Sequence, residues 1–368
     1  MYNINMYLAP QRFDLMAKYI YVKFQDKKIN TNFHIELYKK HLETFNNCKE
    51  YINKFSFEEK IGSDKFIEKF NFLIENIKNN GYNEKYPIPM GKNNMIINGS
   101  HRLVICYYFN INPIIVNESI NGTINYNYNF FTNRKKGFPK LKLNYSDSMA
   151  LEYINHNKNL RAMVIYPRAH IYNSINKIYK LIEKYGYIYY IKKIDLTHIG
   201  LNNLIRELYR GEKWIGGLFP EGISNKTRKC LTFPMLPIIF ILIELKDLDK
   251  LIELKKKCRD IFGIDKHSLH MTDYQYDTFR VSSTLLNKNS IYFLNNFKNV
   301  INKKTQNKFK DFFYVNKENK DDICIKSKIK NLDNIDYFNH IDPNNQDLIY
   351  NPKNHFYFNG FKFKNYNL

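Results

Sequence analysis

Apolar residues recur every three or four positions through much of the first third of the chain. Two such stretches between Phe13 and Cys48, separated by a polar segment, predict two helices. A third stretch over residues 63–80 ends at Gly81 and predicts a third helix. The short elements that follow are predicted strands over residues 86–90, 95–97 and 113–116 and a predicted helix over residues 102–109.

Strands and helices alternate in the second half of the chain. Alternation of this kind, with strands separated in sequence by helices, predicts a helix-backed sheet, so the expected fold class is α+β. The elements concerned are predicted strands over residues 162–166, 187–196 and 238–245 and predicted helices over residues 174–185, 201–209, 248–262 and 274–286.

Composition divides the chain further. Residues 117–144 are rich in Asn, Tyr and Gly and lack apolar periodicity, which is typical of an irregular connection. Beyond residue 299, runs of Lys and Asn replace the apolar pattern. We therefore predict four segments, which are a first domain with a helical N-terminal extension (1–120), a linker or hairpin (121–160), an α/β domain (161–300) and a small C-terminal appendage (301–368).

The chain is strongly basic. Lys and Arg total 57 against 35 Asp and Glu, a formal net charge of +22 that favours a polyanionic partner. However, only ten of the basic residues are Arg, and the composition leans on Asn, Ile, Lys, Tyr and Phe, whose codons are rich in A and T. Because nucleotide bias explains much of the excess, nucleic acid is an alternative partner that the charge alone does not favour.

Cysteine usage and apolar runs indicate the class of protein. The five cysteines are odd in number and far apart, which supports neither a disulfide framework nor a thiolate metal site, and we expect no metal site built by the chain. The N-terminus lacks the pattern of a signal peptide. The most apolar run, residues 233–245, is broken by two prolines and a Glu and is too short to span a bilayer. A cytoplasmic protein without a membrane span is the expectation.

The strongest local motif is I-I-N-G-S-H-R-L, residues 96–103, between a predicted strand and a predicted helix. Gly99 permits close approach to the backbone, and the first amides of the helix point outward with the positive end of its dipole. His101 and Arg102 add donors at the same place, so the motif favours an anion, most naturally a phosphate. The alternative is an ordinary turn in which Arg102 forms a salt bridge with a neighbour.

The sequence around this turn resembles the ParB and sulfiredoxin superfamily. The similarity covers about residues 55–120: F-x-x-x-F-x-x-L-I-x-x-I-x-x-x-G, then P-I-P, then I-I-N-G-S-H-R, then N-P-I-I-V. Members bind nucleotides through this turn, and some are ATP- or ADP-dependent kinases. The resemblance implies that Gly99, Ser100, His101 and Arg102 bind the phosphates of a nucleoside triphosphate, ATP or CTP, with His101 also a catalytic candidate. Ser100 stands where sulfiredoxins carry Cys, so their reductase chemistry is not expected.

Phosphoryl transfer in such a domain needs a carboxylate that takes the hydroxyl proton or holds Mg²⁺. Glu58, Glu59 and Asp64 are the nearest acidic residues upstream of the turn, and the first two are our catalytic candidates. The alternative is that all three cap a helix or are solvated.

A second group of candidates lies in the segment over residues 255–273, which carries Arg259, His270 and Asp273. A histidine between an arginine and a carboxylate can be a phosphoryl acceptor, a general base or part of a phosphate clamp. The alternative is that His270 alternates with His267 across a short strand while Asp273 caps the next helix.

This half of the chain resembles nucleoside diphosphate kinase. The strand ending in Tyr-Pro, the I-x-x-I-E-K-Y-G helix, the K-K-I-D-L strand and the Arg before a His-x-Thr-Asp segment carry the similarity. It implies a ferredoxin-like domain in which Arg259 binds phosphate and His270 is phosphorylated. Two positions depart from the family: Tyr166 replaces a lysine, and Val281 replaces an acidic residue.

The tail resembles a shortened nucleotidyltransferase in its I-C-I-K-S, N-I-D-Y-F and N-P-K-N-H-F-Y-F-N-G-F-K-F segments. That fold holds its metal with two carboxylates, whereas here Asn334 replaces the first and only Asp336 remains. We therefore predict an inactive remnant or a packing element.

The order of motifs along the whole chain resembles multidomain proteins of bacterial capsule or surface-glycan loci and of large DNA viruses. The predicted function is a nucleotide-dependent kinase or phosphotransferase that acts on a small molecule or sugar in surface-glycan biosynthesis, with ATP or CTP and Mg²⁺. The alternative is a non-catalytic nucleotide-sensing or nucleic-acid-binding protein of the ParB kind.

Overall fold

In the computed structural model the chain divides into two compact units, residues 1–157 and residues 158–368. Both contain helices together with sheets of a few strands, and the α+β class is confirmed. The structure describes residues 9–28, 32–52, 58–92, 95–120, 125–134, 137–172, 174–209, 212, 222–297, 312–315, 323–324, 355–358 and 361–365.

The first unit is built around one helix that is buried along almost its whole length. This helix, α1, packs against three of the other helices and buries even two lysines, Lys18 and Lys23. The predicted first three helices and the helix after the turn are confirmed. The helices are α1 (Leu15–Asp26), α2 (Phe33–Asn46), α3 (Ser63–Asn80), α4 (Ser100–Phe109), α5 (Tyr128–Thr132) and α6 (Leu143–His156).

The described residues of this unit also form two short sheets of two strands each. Strands β1 (Lys49–Glu50) and β2 (Lys60–Ile61) pair antiparallel, with Glu50 opposite Lys60. Strands β3 (Ile88–Met90) and β4 (Ile115–Asn117) pair parallel, and α4 connects them. The segment around Ile96, predicted as a strand, forms an isolated bridge to Met90. The turn before α4 is thereby held beside β3.

The segment 121–160 was predicted as a linker or hairpin, and the structure differs there. It holds α5 and α6, and the chain divides after Asn157 instead of near residue 120. Helix α6 buries Tyr145, Met149 and Tyr153 at a spacing of four residues. The helical spacing of these apolar residues is hard to recognise in the sequence, because buried polar residues, among them Ser148 and Glu152, lie between them.

The second unit contains a four-stranded antiparallel sheet backed by helices. Its strand order is β6-β7-β5-β8, and β5 and β7 are the central strands. Its elements follow one another in the order βαββαβ, with two extra helices between the second and third strands. The elements are β5 (Leu160–Ile165), α7 (Ile175–Tyr185), β6 (Gly186–Ile194), α8 (His198–Leu208), α9 (Ile223–Cys230), β7 (Ile238–Leu245), α10 (Leu251–Phe262) and β8 (Leu269–Met271).

Apolar side chains of one face of this sheet pack against α7 and α10. Strands β5 and β7 are buried along nearly their whole length, which is why residues 162–165 and 238–243 read as continuous apolar runs in the sequence. Helices α11 (Gln275–Leu285) and α12 (Lys288–Asn296) follow the sheet. The predicted strands and helices over residues 162–286 are confirmed, with boundaries that differ by up to three residues.

The tail forms a second antiparallel sheet, in the order β10-β9-β12-β11. Phe356 stacks on Phe293 of α12 at 4.8 Å between ring centroids, and the Tyr357 amide donates to Ser290 Oγ at 2.6 Å. Asn334 and Asp336, on which the nucleotidyltransferase resemblance depends, lie outside the described residues. The strands are β9 (Phe312–Val315), β10 (Ile323–Cys324), β11 (His355–Phe358) and β12 (Phe361–Asn365).

Among the helices that the structure describes, none combines the length and the apolar character needed to cross a bilayer.

Candidate functional site

A cavity of about 550 Å³ opens in the first unit, within the range of roughly 300 to 1,000 Å³ that is typical of ligand sites. The whole Gly99–Arg102 turn lines it, and we call it the turn cavity. The turn that the sequence singles out is therefore part of the cavity lining. The charged and aromatic residues that face it from other elements include Arg12, Lys18, Glu50, Glu58, Lys60 and Tyr126.

Gly99 holds the left-handed conformation that ends the preceding segment and begins α4. Its φ is +84°, a value that non-glycine residues avoid, and a Cβ there would lie 3.0 Å from Arg102 Nη2. Ser100 is the first residue of α4. The amides of the first helical turn have no partner within a helix, so they are available to an anion in the cavity.

His101 lies in the first turn of α4 and is held by aromatic rings. Its Nε2 is 2.7 Å from the hydroxyl of Tyr38, and its ring meets the edge of Phe70 at 4.6 Å. Burial, aided by the charges of Lys18 and Lys60, lowers the pKa of His101 well below its usual value. His101 is therefore neutral near pH 7 and contributes a polar, uncharged group to the cavity wall.

Arg102 lines the turn cavity, but main-chain acceptors engage its guanidinium. Nη1 donates to the carbonyl oxygens of Tyr86 and Pro87, the latter at 3.2 Å. Both carbonyls lie just before β3, so Arg102 ties the start of α4 to that strand. This arrangement leaves Nη2, which packs beside Gly99, as the part of the guanidinium nearest the turn.

The acidic candidates are separated by the structure. Glu58 lines the cavity and is paired with Lys69 at 2.9 Å. Glu59 is exposed and does not line the cavity, and Asp64 is paired with Lys39 at the surface. Sequence reasoning missed Glu50, which lines the cavity and pairs with Lys60 at 2.8 Å.

Sequence reasoning also missed Arg12 and Lys18, which line the cavity and are both paired with the buried carboxylate of Asp14. The signal was present in A-P-Q-R-F-D-L-M-A-K, where an acidic and a basic residue four positions apart interrupt an apolar run. Charged residues at positions that a helix buries are costly unless they are paired or serve a ligand.

His270 belongs to the second unit, on the short edge strand β8. Its ring meets the edge of Tyr209 at 5.0 Å between centroids. Burial and the charges of nearby Lys255, Arg280, Lys226 and Arg259 lower its pKa to about 3. A neutral imidazole surrounded by cations is therefore present where the sequence predicted a phosphoryl acceptor.

Two of those four cations are matched by carboxylates. Lys255 pairs with Asp273 at 2.5 Å, and Arg280 pairs with Asp277 at 3.0 Å. Asp273 therefore forms an ion pair with Lys255. It also lies just before α11, where the sequence analysis placed it.

The other two cations near His270 form no ion pair within the described residues. Nζ of Lys226 lies over the rings of Tyr166 and Tyr209 at 5.4 and 5.2 Å and donates to the carbonyl of Lys266. Burial is the largest cause that lowers the pKa of Lys226 to about 8. Nε of Arg259, the predicted phosphate ligand, is buried without a hydrogen-bond partner in the part of the chain that is described.

Within the described ranges, no group of three or more His, Cys, Asp or Glu residues has the geometry of a metal site. Mg²⁺ does not require such a group, because it is commonly held by one or two carboxylates, by water and by the phosphates of a substrate. Glu50 and Glu58 line the turn cavity and carry carboxylate oxygens of the kind that Mg²⁺ prefers, and each is paired with a lysine, Lys60 or Lys69.

Comparisons with protein-family models, with curated proteins and with solved structures found no significant match to this chain.

Proposed function

We propose that the protein is a nucleotide-dependent phosphotransferase that binds nucleotide phosphates in the turn cavity and acts on a small molecule or sugar. One observation carries the proposal: the first turn of α4 lines the same cavity as the cations Lys60 and Arg102. A helix N-terminus surrounded by cationic side chains is suited to a phosphate chain. A role in surface-glycan biosynthesis rests only on the resemblance described above.

In the reaction that we propose, the hydroxyl oxygen of the acceptor forms a bond to the γ-phosphorus of ATP or CTP. The bond from that phosphorus to the bridging oxygen breaks, and the nucleoside diphosphate leaves. The hydroxyl proton passes to a carboxylate that lines the cavity, Glu50 or Glu58, and from there to water. Mg²⁺, when bound with the nucleotide, supplies positive charge beside the phosphates.

Replacing Ser100 with glutamate tests the phosphate site directly. The new carboxylate lies at the first position of α4, where the helix dipole favours it, so the melting temperature should not fall. The same carboxylate repels phosphates, and we expect affinity for ATP and CTP to weaken at least about tenfold. The measurement is calorimetric titration of the full chain with each nucleotide, with and without Mg²⁺.

Ser63→Glu is the matched control, because Ser63 also follows a glycine, begins helix α3 and does not line the cavity. Nucleotide affinity should be unchanged in this variant. The proposal fails if the wild type binds neither nucleotide, or if both variants bind nucleotide equally well. Steeply salt-dependent binding of DNA or RNA without nucleotide turnover would instead favour the ParB-like alternative.

A second candidate activity, phosphoryl acceptance by His270 in the second unit, is favoured by a specific observation. Its imidazole is neutral, and two cations without ion-pair partners among the described residues, Lys226 and Arg259, lie near it. In this step the imidazole nitrogen forms a bond to the γ-phosphorus, the bond to the bridging oxygen breaks, and the nucleoside diphosphate leaves.

If His270 is phosphorylated, incubation with γ-labelled ATP leaves label that is labile to acid and stable to base. The label should be absent from His270→Gln and present in His198→Gln, a control that changes an exposed histidine at the start of α8. If folded His270→Gln protein is labelled as strongly as the wild type, His270 is not the phosphoryl acceptor and its role at the edge of the sheet is structural.

A further inference from the structure

Arg12, Asp14 and Lys18 form a buried charged group, and Arg12 and Lys18 also line the turn cavity. Arg12 binds both carboxylate oxygens of Asp14, through Nε at 2.8 Å and Nη2 at 2.9 Å. Lys18 Nζ donates to Asp14 Oδ2 at 2.7 Å. The three residues are exposed by 4%, 0% and 2% respectively, so water screens these charges very little.

This group carries one positive charge in excess, because two cations share one carboxylate. The next carboxylate that acts on Lys18 is Glu50, which is already bonded to Lys60 at 2.8 Å. Among the described residues, no other ion pair involves Arg12 or Lys18. A buried, uncompensated charge destabilises a fold, because the hydration that it loses is not replaced by a partner. An anchoring role for α1 alone does not explain the excess positive charge, because a single Arg–Asp pair would anchor the helix without it.

Both cations are lining residues of the turn cavity. Arg12 Nη1 donates to the carbonyl of Ile96 at 3.2 Å, in the segment that leads into the Gly99 turn. Lys18 uses one of its three N–H groups on Asp14 and lies over the ring of Phe45 at 5.5 Å. The two cations therefore line the same cavity as the first turn of α4 but come from a different part of the chain.

We propose that Lys18 and Arg12 form a subsite for an anionic group, a phosphate or a carboxylate, of the molecule that accepts the phosphoryl group. The proposal rests on the proposed function, since it assigns the turn to the nucleotide and the two cations Arg12 and Lys18 to the acceptor. The acceptor is then an anionic hydroxyl compound, such as an acidic or phosphorylated sugar, and not a neutral one.

Lys18→Met separates this role from a structural one. The substitution removes the excess charge and leaves the Arg12–Asp14 pair intact, so the melting temperature should stay the same or rise. Binding of inorganic phosphate or acetate, titrated without nucleotide, should weaken at least tenfold. Whichever of the two anions binds the wild type more tightly identifies the group, and acetamide is the neutral control for acetate. Lys18→Gln, which keeps a hydrogen-bond donor to Asp14, should lose the anion equally.

Lys23→Met is the matched control on the same helix. Lys23 is buried and paired with Glu152 at 3.0 Å, away from the cavity lining, so its replacement should lower the melting temperature and leave anion affinity within twofold. A purely structural Lys18 would behave in the same way as Lys23, and that result overturns the subsite.

The two proposals fail in different ways. If the wild type binds nucleotide but neither phosphate nor acetate, the acceptor subsite is wrong and the proposed function stands. If Ser100→Glu abolishes anion binding and Lys18→Met retains it, the anion occupies the turn and the subsite is again wrong. If anions bind through Lys18 but nucleotides do not bind, the proposed phosphotransferase fails and the acceptor role fails with it.

Discussion

Asp14→Asn is expected to lower the free energy of unfolding of the first unit by about 4 kcal/mol, the middle of the range for removing one partner of a buried ion pair. Asp14 is fully buried, and Arg12 and Lys18 hold the pKa of its carboxyl far below the usual value although burial opposes them. Asparagine keeps the shape but removes the charge that both cations share. The measurement is hydrogen exchange of peptides from α1 in the full chain, as a function of urea.

Asp64→Asn is the control, because Asp64 is an exposed carboxylate paired with Lys39 and should hardly change the stability. Combining Asp14→Asn with Lys18→Met should recover part of the loss, since one of the two stranded cations is then gone. Equal stability of Asp14→Asn and Asp64→Asn would show that the buried group is solvated and carries no excess charge.

Local patterns predicted the helices and strands well where one face of an element is uniformly apolar. Helix α3 and strand β7 are found over the predicted residues because their apolar positions follow a single period or a continuous run. Helix α6 was missed because Asp147 and Glu152 are buried among its apolar residues. The partner that stabilises Glu152 is Lys23, 129 positions away, and no window on the sequence contains both.

The candidate site was predicted only where its residues are neighbours in sequence. The Gly99 turn was found because a strand, a glycine and a helix start follow one another. The acceptors of Arg102 are carbonyl oxygens up to 16 residues upstream, and the cations Arg12 and Lys18 come from the first helix region. Their meeting at one cavity depends on the packing of α1 against α4, which periodicity does not specify.

The free energy of unfolding of the first unit should fall in acid, because Glu152 then becomes protonated. This carboxyl is 3% exposed, and its pKa is lowered from 4.5 to about 2 because Lys23 and His156 outweigh the effect of burial. A carboxyl whose pKa is lower in the folded than in the unfolded chain stabilises the fold above pH 4.5. That contribution, about 3 kcal/mol, is lost as the pH falls from about 5 to about 2.

The double variant Lys23→Met, Glu152→Leu isolates this effect, because it replaces the buried pair with apolar side chains and leaves the second unit identical. Urea titrations of both proteins at pH 6, 4 and 2.5 should show that the wild type loses stability relative to the double variant as the pH falls. The test depends on the change of this stability difference with pH and not on its size near pH 6, since well-packed apolar residues often replace a buried ion pair without loss of stability. A difference that stays constant over this range would mean that Glu152 titrates normally and that its contacts with Lys23 do not hold the charge.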